Sequence, residues 1–256
     1  MKDWKDNIYF VLVEPKEPGN IGASARAIKN MGFRNLCLVK PPPSMTDEGR
    51  WFARNAHDVL DSAEIFATVQ DAIKDKSIVV GTTRRMGKRR GMIFPMERGA
   101  RRIFDIAENN KIAILFGREA RGLFNNEVEE CGFMLTIPSS KIQPSLNLSQ
   151  AVLIIAYELS KLGSYPEIAG DEYKGEEPPV LKRRSLLDHG DISPLYERIS
   201  GILELLEYIP MGDRNLKKKI INNLRHFIGR AGLTEWELQM LYGICRQIEK
   251  KITDKG

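Results

Sequence analysis

Two stretches of this chain end an apolar run in residues able to hold a polar ligand. Residues 111–116 are mostly apolar and lead into Gly117-Arg118-Glu119-Ala120-Arg121-Gly122-Leu123. Residues 133–137 lead into Ile137-Pro138, then into Pro144-Ser145-Leu146-Asn147-Leu148-Ser149, which opens an apolar helix. The two glycines bracket a tight polar turn, and Glu119 within it can accept hydrogen bonds from backbone amides or a cationic group. Ser145 and Asn147 are residue types that cap helices. The helix start beside them offers free N–H groups and partial positive charge to a carboxylate or phosphate. If both runs are strands of an open α/β sheet, both motifs sit at the carboxyl edge, where such sheets bind ligands.

Two further stretches follow apolar runs in the same way. In Pro18-Gly19-Asn20-Ile21-Gly22-Ala23-Ser24-Ala25-Arg26, Asn20 is expected to be the N-cap of a helix that stops at Gly32-Phe33. Ile21, Ala25 and Ile28 share one helical stripe, while Gly22, Arg26 and Asn30 share the other face. Gly22 is poor helix material but permits close approach by a ligand or another backbone. Arg26 taken alone reads as a solvated helix residue. Val79-Val80-Gly81-Thr82-Thr83-Arg84 taken alone reads as a strand ending in a plain turn. It is followed by Arg85, Lys88, Arg89 and Arg90, interleaved with Gly87 and Gly91, and by Arg98, Arg101 and Arg102. A second basic cluster comprises Arg214, Lys217, Lys218, Lys219, Arg225 and Arg230. An arginine-rich loop beside a ligand site suits contacts to a phosphate backbone.

The elements that must position these residues alternate. Strands are expected at 8–13, 35–39, 77–81, 111–116 and 133–137, mostly as continuous apolar runs of the kind covered on both faces in parallel sheets. Helices are expected at 20–31, 53–69, 97–108 and 125–130, which makes this an α/β domain with a parallel sheet. The next helix, 147–162, is apolar nearly all round, and an oligomer interface is expected there, with Ile154 or Ile155 in the seam and the helix after Asn20 as its partner. Residues 163–184 read as a polar linker. Helices at 194–208, 214–229 and 234–251 follow, the last opened by a capping box of Thr234 and Glu237. The organisation is therefore 1–162 as the α/β domain, 163–184 as linker and 185–256 as a small helical appendage, expected from its basic cluster to serve RNA recognition rather than chemistry.

Composition excludes several classes. The 256 residues carry a net charge of +5 and 42% hydrophobic residues, compatible with a polyanionic partner and a real core. No apolar run reaches the ~18–20 residues of a membrane span, and the start of the chain lacks the apolar region of a signal peptide. Cys37, Cys131 and Cys245 lie far apart and cannot pair completely, as expected of a reduced, cytoplasmic protein. His57, His189 and His226 show no metal-ligand spacing, and no G-x-S-x-G elbow, P-loop or dinucleotide fingerprint is present.

In order, spacing and strand context, residues 7–162 resemble SPOUT-class RNA methyltransferases of the TrmH/SpoU branch. The opening Val13-Glu14 through Arg26-Ala27, and the stretch Leu224 to Thr234 with Glu237-Leu238, are most similar to members that methylate the 2′-hydroxyl of tRNA nucleotide 32. The resemblance implies a trefoil knot in the last third of the α/β domain, a homodimer, and S-adenosylmethionine as cofactor with no metal. It implies cofactor contacts at Thr82, Thr83, Arg84, Gly117, Ile137, Pro144, Ser145 and Leu146. It makes Arg26 the catalytic arginine, with Asn20, Glu119, Ser145 and Asn147 completing the site and the second subunit contributing. A ribose hydroxyl must lose its proton as it attacks the methyl group. Arginine is a poor base with a pKa above ~12, but it can stabilise the developing alkoxide. The acceptor is either Arg26 or a substrate phosphate. The expected partners are tRNA and a second copy of the chain, with no membrane and no DNA. Two alternatives stand beside this reading: methylation of ribosomal RNA or another tRNA position, and RNA binding without catalysis.

Overall fold

The structure, a computed structural model, describes residues 3–43, 47–85, 87, 90–140, 142–164, 184–208 and 214–253. Seven parallel strands form one sheet in the order β3-β2-β1-β6-β4-β7-β5. The five expected strands are β1 (Ile8–Val13), β2 (Asn35–Val39), β4 (Ile78–Thr82), β6 (Ile112–Phe116) and β7 (Phe133–Thr136). Two short edge strands join them, β3 (Glu64–Phe66) and β5 (Ile93–Pro95). Three residues are too few to show a periodicity, and Pro95 is tolerated because an edge strand has an unpaired side.

Helices cover both faces. On one, α1 (Pro18–Asn30), α5 (Met96–Ala107) and α7 (Leu148–Ser164) bury Phe10, Ile21, Ile28, Ile103, Phe116 and Ile155. On the other, α4 (Val69–Ile73) and α6 (Asn125–Glu129) cover Val11, Val79, Leu115 and Met134. The single helix expected over 53–69 is instead α2 (Asp47–Ala53), α3 (His57–Asp61), β3 and the start of α4. Asn55 separates the first two because its φ of 58° lies in the left-handed region, which Asn tolerates better than most residues. The glycine at position 22 serves a backbone rather than a ligand: a side chain there would meet the Gly49 carbonyl oxygen of α2 at 1.9 Å.

Helix α7 is two-faced. Val152, Ile155, Ala156 and Leu159 are buried in the core, whereas Leu153 and Tyr157 are 40% and 50% exposed. Ile155 therefore belongs to the domain's interior rather than to a seam, and a charge there would break the fold. Leu153 and Tyr157 are the residues left outward.

The remaining helices, α8 (His189–Leu205), α9 (Arg214–Ala231) and α10 (Glu235–Thr253), surround a small core of Leu195, Tyr196, Ile228 and Leu238. Helix α8 begins one turn before Pro194 because carbonyls of the α/β domain receive its first N–H groups: His189 donates to Lys76 and Gly190 to Lys74. Thr234 and Glu237 form the expected capping box. Most of the expected linker, 165–183, lies outside the described residues.

The helices dock closely on the sheet domain. Glu130 bonds His189 Nε2 at 3.0 Å and Arg225 Nη1 at 2.7 Å. Asn110 brackets the chain by donating to the Arg184 carbonyl and accepting from the Leu186 N–H. A side chain on Gly132 would lie 1.9 Å from the Gly229 carbonyl oxygen.

Gly22→Ala tests the α1–α2 contact. Helix propensity alone favours alanine by about 1 kcal/mol. We expect a net loss of about 1–3 kcal/mol in denaturant unfolding, because α2 must move to admit the methyl group.

Candidate active site

Strand order generates the site. From β1 the chain moves outward through β2 and β3, then crosses to the other side of β1, where β6 later inserts between β1 and β4. Such a reversal opens a crevice beyond the carboxyl ends of the strands. Here the loops after β4, β6 and β7 line one cavity. Its apolar floor includes Phe116, Leu135 and Leu148.

Each loop is fixed by backbone groups left over where strands end. After β4, Thr82 Oγ1 donates to the Leu115 carbonyl at 3.0 Å and the Thr83 N–H to the Leu135 carbonyl at 2.8 Å. Thr83 Oγ1 accepts from the Arg85 N–H and from Arg90 Nη1, both at 3.0 Å, so what reads as a plain turn is a tied one. After β6, the Gly122 N–H donates to the Arg118 carbonyl at 2.8 Å, closing the turn on itself. A side chain at Gly117 would meet Gly122 and Leu123 backbone atoms at 2.1–2.2 Å, and Gly122 has a φ of +68°. Glycine is required at both positions for these two different reasons. After β7, Ser139 Oγ donates to the Pro144 carbonyl, and Ser145 and Leu146 reach the cavity.

All eight residues expected to contact a cofactor line this cavity: Thr82, Thr83 and Arg84 from the first loop, Gly117 from the second, and Ile137, Pro144, Ser145 and Leu146 from the third. Glu119 and Ser145 of the catalytic set also line it. Asn20 and Asn147 join them through a chain of side-chain hydrogen bonds. Asn20 Nδ2 donates to Glu119 Oε1 at 3.0 Å, and Asn147 Nδ2 donates to Asn20 Oδ1 at 2.9 Å.

The expected N-cap role of Asn20 does not hold. Helix α1 starts at Pro18 with Glu17 in the cap position, since proline fits the first helical position. That leaves the Asn20 side chain available to Glu119. Asn147, not Ser145, caps α7: its Oδ1 accepts from the Ser149 N–H at 2.9 Å and its carbonyl from the Ala151 N–H. Arg26 is exposed on the outer face of α1 and is absent from the cavity wall.

Glu119 Oε1 also accepts from the backbone N–H groups of Lys16 at 3.2 Å and Glu17 at 3.4 Å. Burial raises the Glu119 pKa, but the Asn20 bond and these N–H groups outweigh it and hold the carboxyl below its ordinary value. The cavity thus has an anionic wall at Glu119, and Arg84, Arg85 and Arg121 supply cations around it. Sequence reasoning missed Arg118, which is buried and lines the same cavity. Among the described residues, no group of three or more His, Cys, Asp or Glu is placed to hold a metal ion. No helix among them is long and apolar enough to cross a membrane.

Residues 7–157 match the SpoU rRNA Methylase family. The chain belongs to that family. Over 246 residues it is 35% identical to the tRNA (cytidine/uridine-2′-O-)-methyltransferase TrmJ of Salmonella typhimurium, covering 96% of this chain and 97% of the relative. Against the protein of the same name in Escherichia coli K12 the identity is 34%, with 96% of each covered. The crystal structure of TrmJ from Z. mobilis ZM4 superposes with a TM-score of 0.75 at 26% identity, over 94% of this chain and 98% of that one. A probable methylase family protein from Haemophilus influenzae Rd KW20 gives 0.60 at 29% identity, over 98% and 100%. As a member of the SpoU family the protein is a methyltransferase, and the cavity at the strand reversal is its candidate active site.

Glu119→Gln keeps one acceptor oxygen and removes the charge. A carboxyl whose folded pKa is depressed adds stability that is complete above its unfolded value, about 4.3, and is lost as pH falls through the folded value. Wild type should therefore melt at a higher temperature than the variant at pH 7. The gap should shrink below about pH 4 and close at still lower pH in parallel calorimetric scans.

Proposed function

We propose that the protein transfers a methyl group from S-adenosylmethionine to the ribose 2′-hydroxyl of tRNA, at nucleotide 32 of the anticodon loop, C or U. The observation that carries this reading is the cavity itself, which gathers the residues the resemblance assigns to the cofactor and puts Glu119, Asn20 and Asn147 at its edge. The residue types fit the cofactor. Phe116, Leu135 and Leu148 offer an apolar bed for adenine, the arginines suit its carboxylate, and the Glu119 carboxylate suits a sulfonium. The tRNA substrate is supported by the relatives matched over nearly the whole chain, which are tRNA (cytidine/uridine-2′-O-)-methyltransferases. Position 32 rests on the sequence resemblance of residues 13–27 and 224–238 alone. The trefoil knot and a cytoplasmic location accompany the same reading.

Bound in the cavity, S-adenosylmethionine supplies an electrophilic methyl group. The chain's residues orient and stabilise. Glu119 holds Asn20, and Asn20 holds Asn147, so two amides stand at one edge of the cavity in fixed geometry. The Arg26 guanidinium stabilises the alkoxide that develops as the hydroxyl attacks. Its exposure on α1 is accounted for if a second protomer receives it. The homodimer we propose therefore joins the outer faces of α1 and α7, with Leu153 and Tyr157 in the seam.

RNA contacts fall to the basic residues around the cavity mouth and along α9. Lys88 and Arg89 lie outside the described residues, as does the side chain of Arg214. The two basic clusters converge on one surface. The His226 ring approaches Gly91, and Arg102 Nη2 donates to the Arg230 carbonyl at 2.7 Å. Lys217 and Lys218 are engaged with Glu204 and Glu129, so the second cluster is partly neutralised within the chain.

Ribose methylation mapped by mass spectrometry in tRNA treated with the purified protein tests the reaction and the position; an unmodified nucleotide 32 would refute the assignment. Arg26→Ala should abolish transfer and leave S-adenosylmethionine affinity within about twofold, since it touches no cofactor residue. For the dimer, Leu153→Glu combined with Tyr157→Glu should give folded monomers in ultracentrifugation and inactive protein. A wild-type monomer at micromolar concentration would contradict the proposed assembly.

A further inference from the structure

The residue preceding Glu119 carries an ionic cluster, buried at Arg118 and Glu127 and part-exposed at Glu14, that the mechanism above does not use. Arg118 is 7% exposed. Its Nη1 and Nη2 donate to the two carboxylate oxygens of Glu127 at 3.0 and 2.9 Å. Its Nε donates to Glu14 Oε2, and Nη2 lies near Glu14 Oε1, both at 2.8 Å. The guanidinium carbon sits 3.8 Å from the centre of the Phe124 ring. Glu127, also buried, accepts the Phe124 N–H at 2.7 Å, which ties the start of α6 to the same group. Glu14 follows β1 with a φ of 47°, and its carboxyl is held below the ordinary value chiefly by the Arg118 hydrogen bond.

Stability does not account for such a cluster, because buried ion pairs replaced by well-packed apolar groups are often no less stable. What the cluster does is define one conformation. The Arg118 carbonyl accepts the hydrogen bond that closes the turn on Gly122, and its side chain anchors that turn to β1 on one side and α6 on the other. Glu119 anchors the next residue to Lys16, Glu17 and Asn20. Successive side chains thus bind the turn to two different parts of the domain.

We propose that Arg118 is a positioning residue for the cofactor: its fork to Glu14 and Glu127 holds the turn from Gly117 to Gly122 in the binding conformation before S-adenosylmethionine arrives. The proposal rests on the assignment of the cavity to that cofactor. Ordering the turn in advance removes a cost that binding would otherwise carry. Lysine cannot substitute, since one ammonium lacks the planar fork that spans two carboxylates and the face that stacks on Phe124.

The test compares full-length wild type, Arg118→Lys and Glu14→Gln by calorimetric titration with S-adenosylmethionine, by steady-state kinetics, and by amide exchange at Gly122 without ligand. Arg118→Lys should bind the cofactor about tenfold more weakly, the scale of one charge-assisted hydrogen bond. Its KM for S-adenosylmethionine should rise by the same factor, with the KM for tRNA and kcat at saturation changing by less than about threefold, and Gly122 should exchange faster. Glu14→Gln should shift affinity in the same direction by a smaller factor. A folded Arg118→Lys protein that melts earlier but binds the cofactor as wild type does would reduce Arg118 to a structural role and overturn the proposal, as would a loss confined to kcat. If Arg118→Lys fails to fold, unchanged cofactor affinity and unchanged Gly122 exchange in Glu14→Gln overturn it. Wild type that does not bind S-adenosylmethionine would instead overturn the function proposed above, while Gly122 exchange would still report whether Arg118 orders the turn.

Discussion

The carboxylate of Glu119 takes up backbone N–H groups that the chain leaves without partners just beyond the end of β1, and the site is organised around that exchange. A parallel strand that ends must hand its unpaired backbone groups to something else, whether water, a side chain or a neighbouring loop. Here the solution is supplied by the neighbouring strands' own loops. Glu119 after β6 serves the segment after β1, Thr82 at the end of β4 serves β6, and the Thr83 N–H serves β7. Each loop is therefore fixed by its neighbour. The cavity between them is a consequence of the strand reversal combined with this mutual satisfaction.

The helical region shows the same logic at a domain contact. A stretch of α9 that packs on a sheet domain needs close approach and neutralised charge. Gly132 and Gly229 provide the first, their backbones too near for any side chain between them. Glu130 provides the second: burial alone would raise its pKa, but the hydrogen bond and charge of His189, with the charge of Arg225, keep it below its ordinary value. Docking also brings His226 against the loop at Gly91, so the two basic clusters adjoin one another instead of standing apart across a linker. A fragment ending near residue 162 would leave Asn110 and Glu130 without their partners Leu186 and Arg225 and would expose the part of the core that Leu186 now covers.

Helix α7 illustrates how one composition can serve two surfaces. Its apolar character all round is explained on one side by the core, where Val152, Ile155 and Leu159 are fully buried. On the other side Leu153 and Tyr157 remain uncovered within a single chain. Arg26 shares this outward aspect on the neighbouring helix α1, so the dimer proposed above would use the uncovered apolar residues and the arginine together.

What the sequence determined by itself was local and periodic. The continuous apolar runs identified the five interior strands, because burial on both faces removes the alternation. The motifs at 79–84, 117–123 and 137–147 identified the cavity walls, because glycine turns and capping residues are constrained within a few positions. What only the tertiary structure decided were pairings between distant residues and edge elements too short to leave a pattern. Arg118 and Glu14 are 104 positions apart and Asn147 and Asn20 are 127 apart, and no spacing rule connects them. The role of Asn20 changed, and that of Gly22 was decided between a ligand and another backbone, for the same reason. A free amide side chain and a missing side chain look alike in any helix, and only the neighbour that arrives, the Glu119 carboxylate in one case and the Gly49 carbonyl in the other, gives each its function.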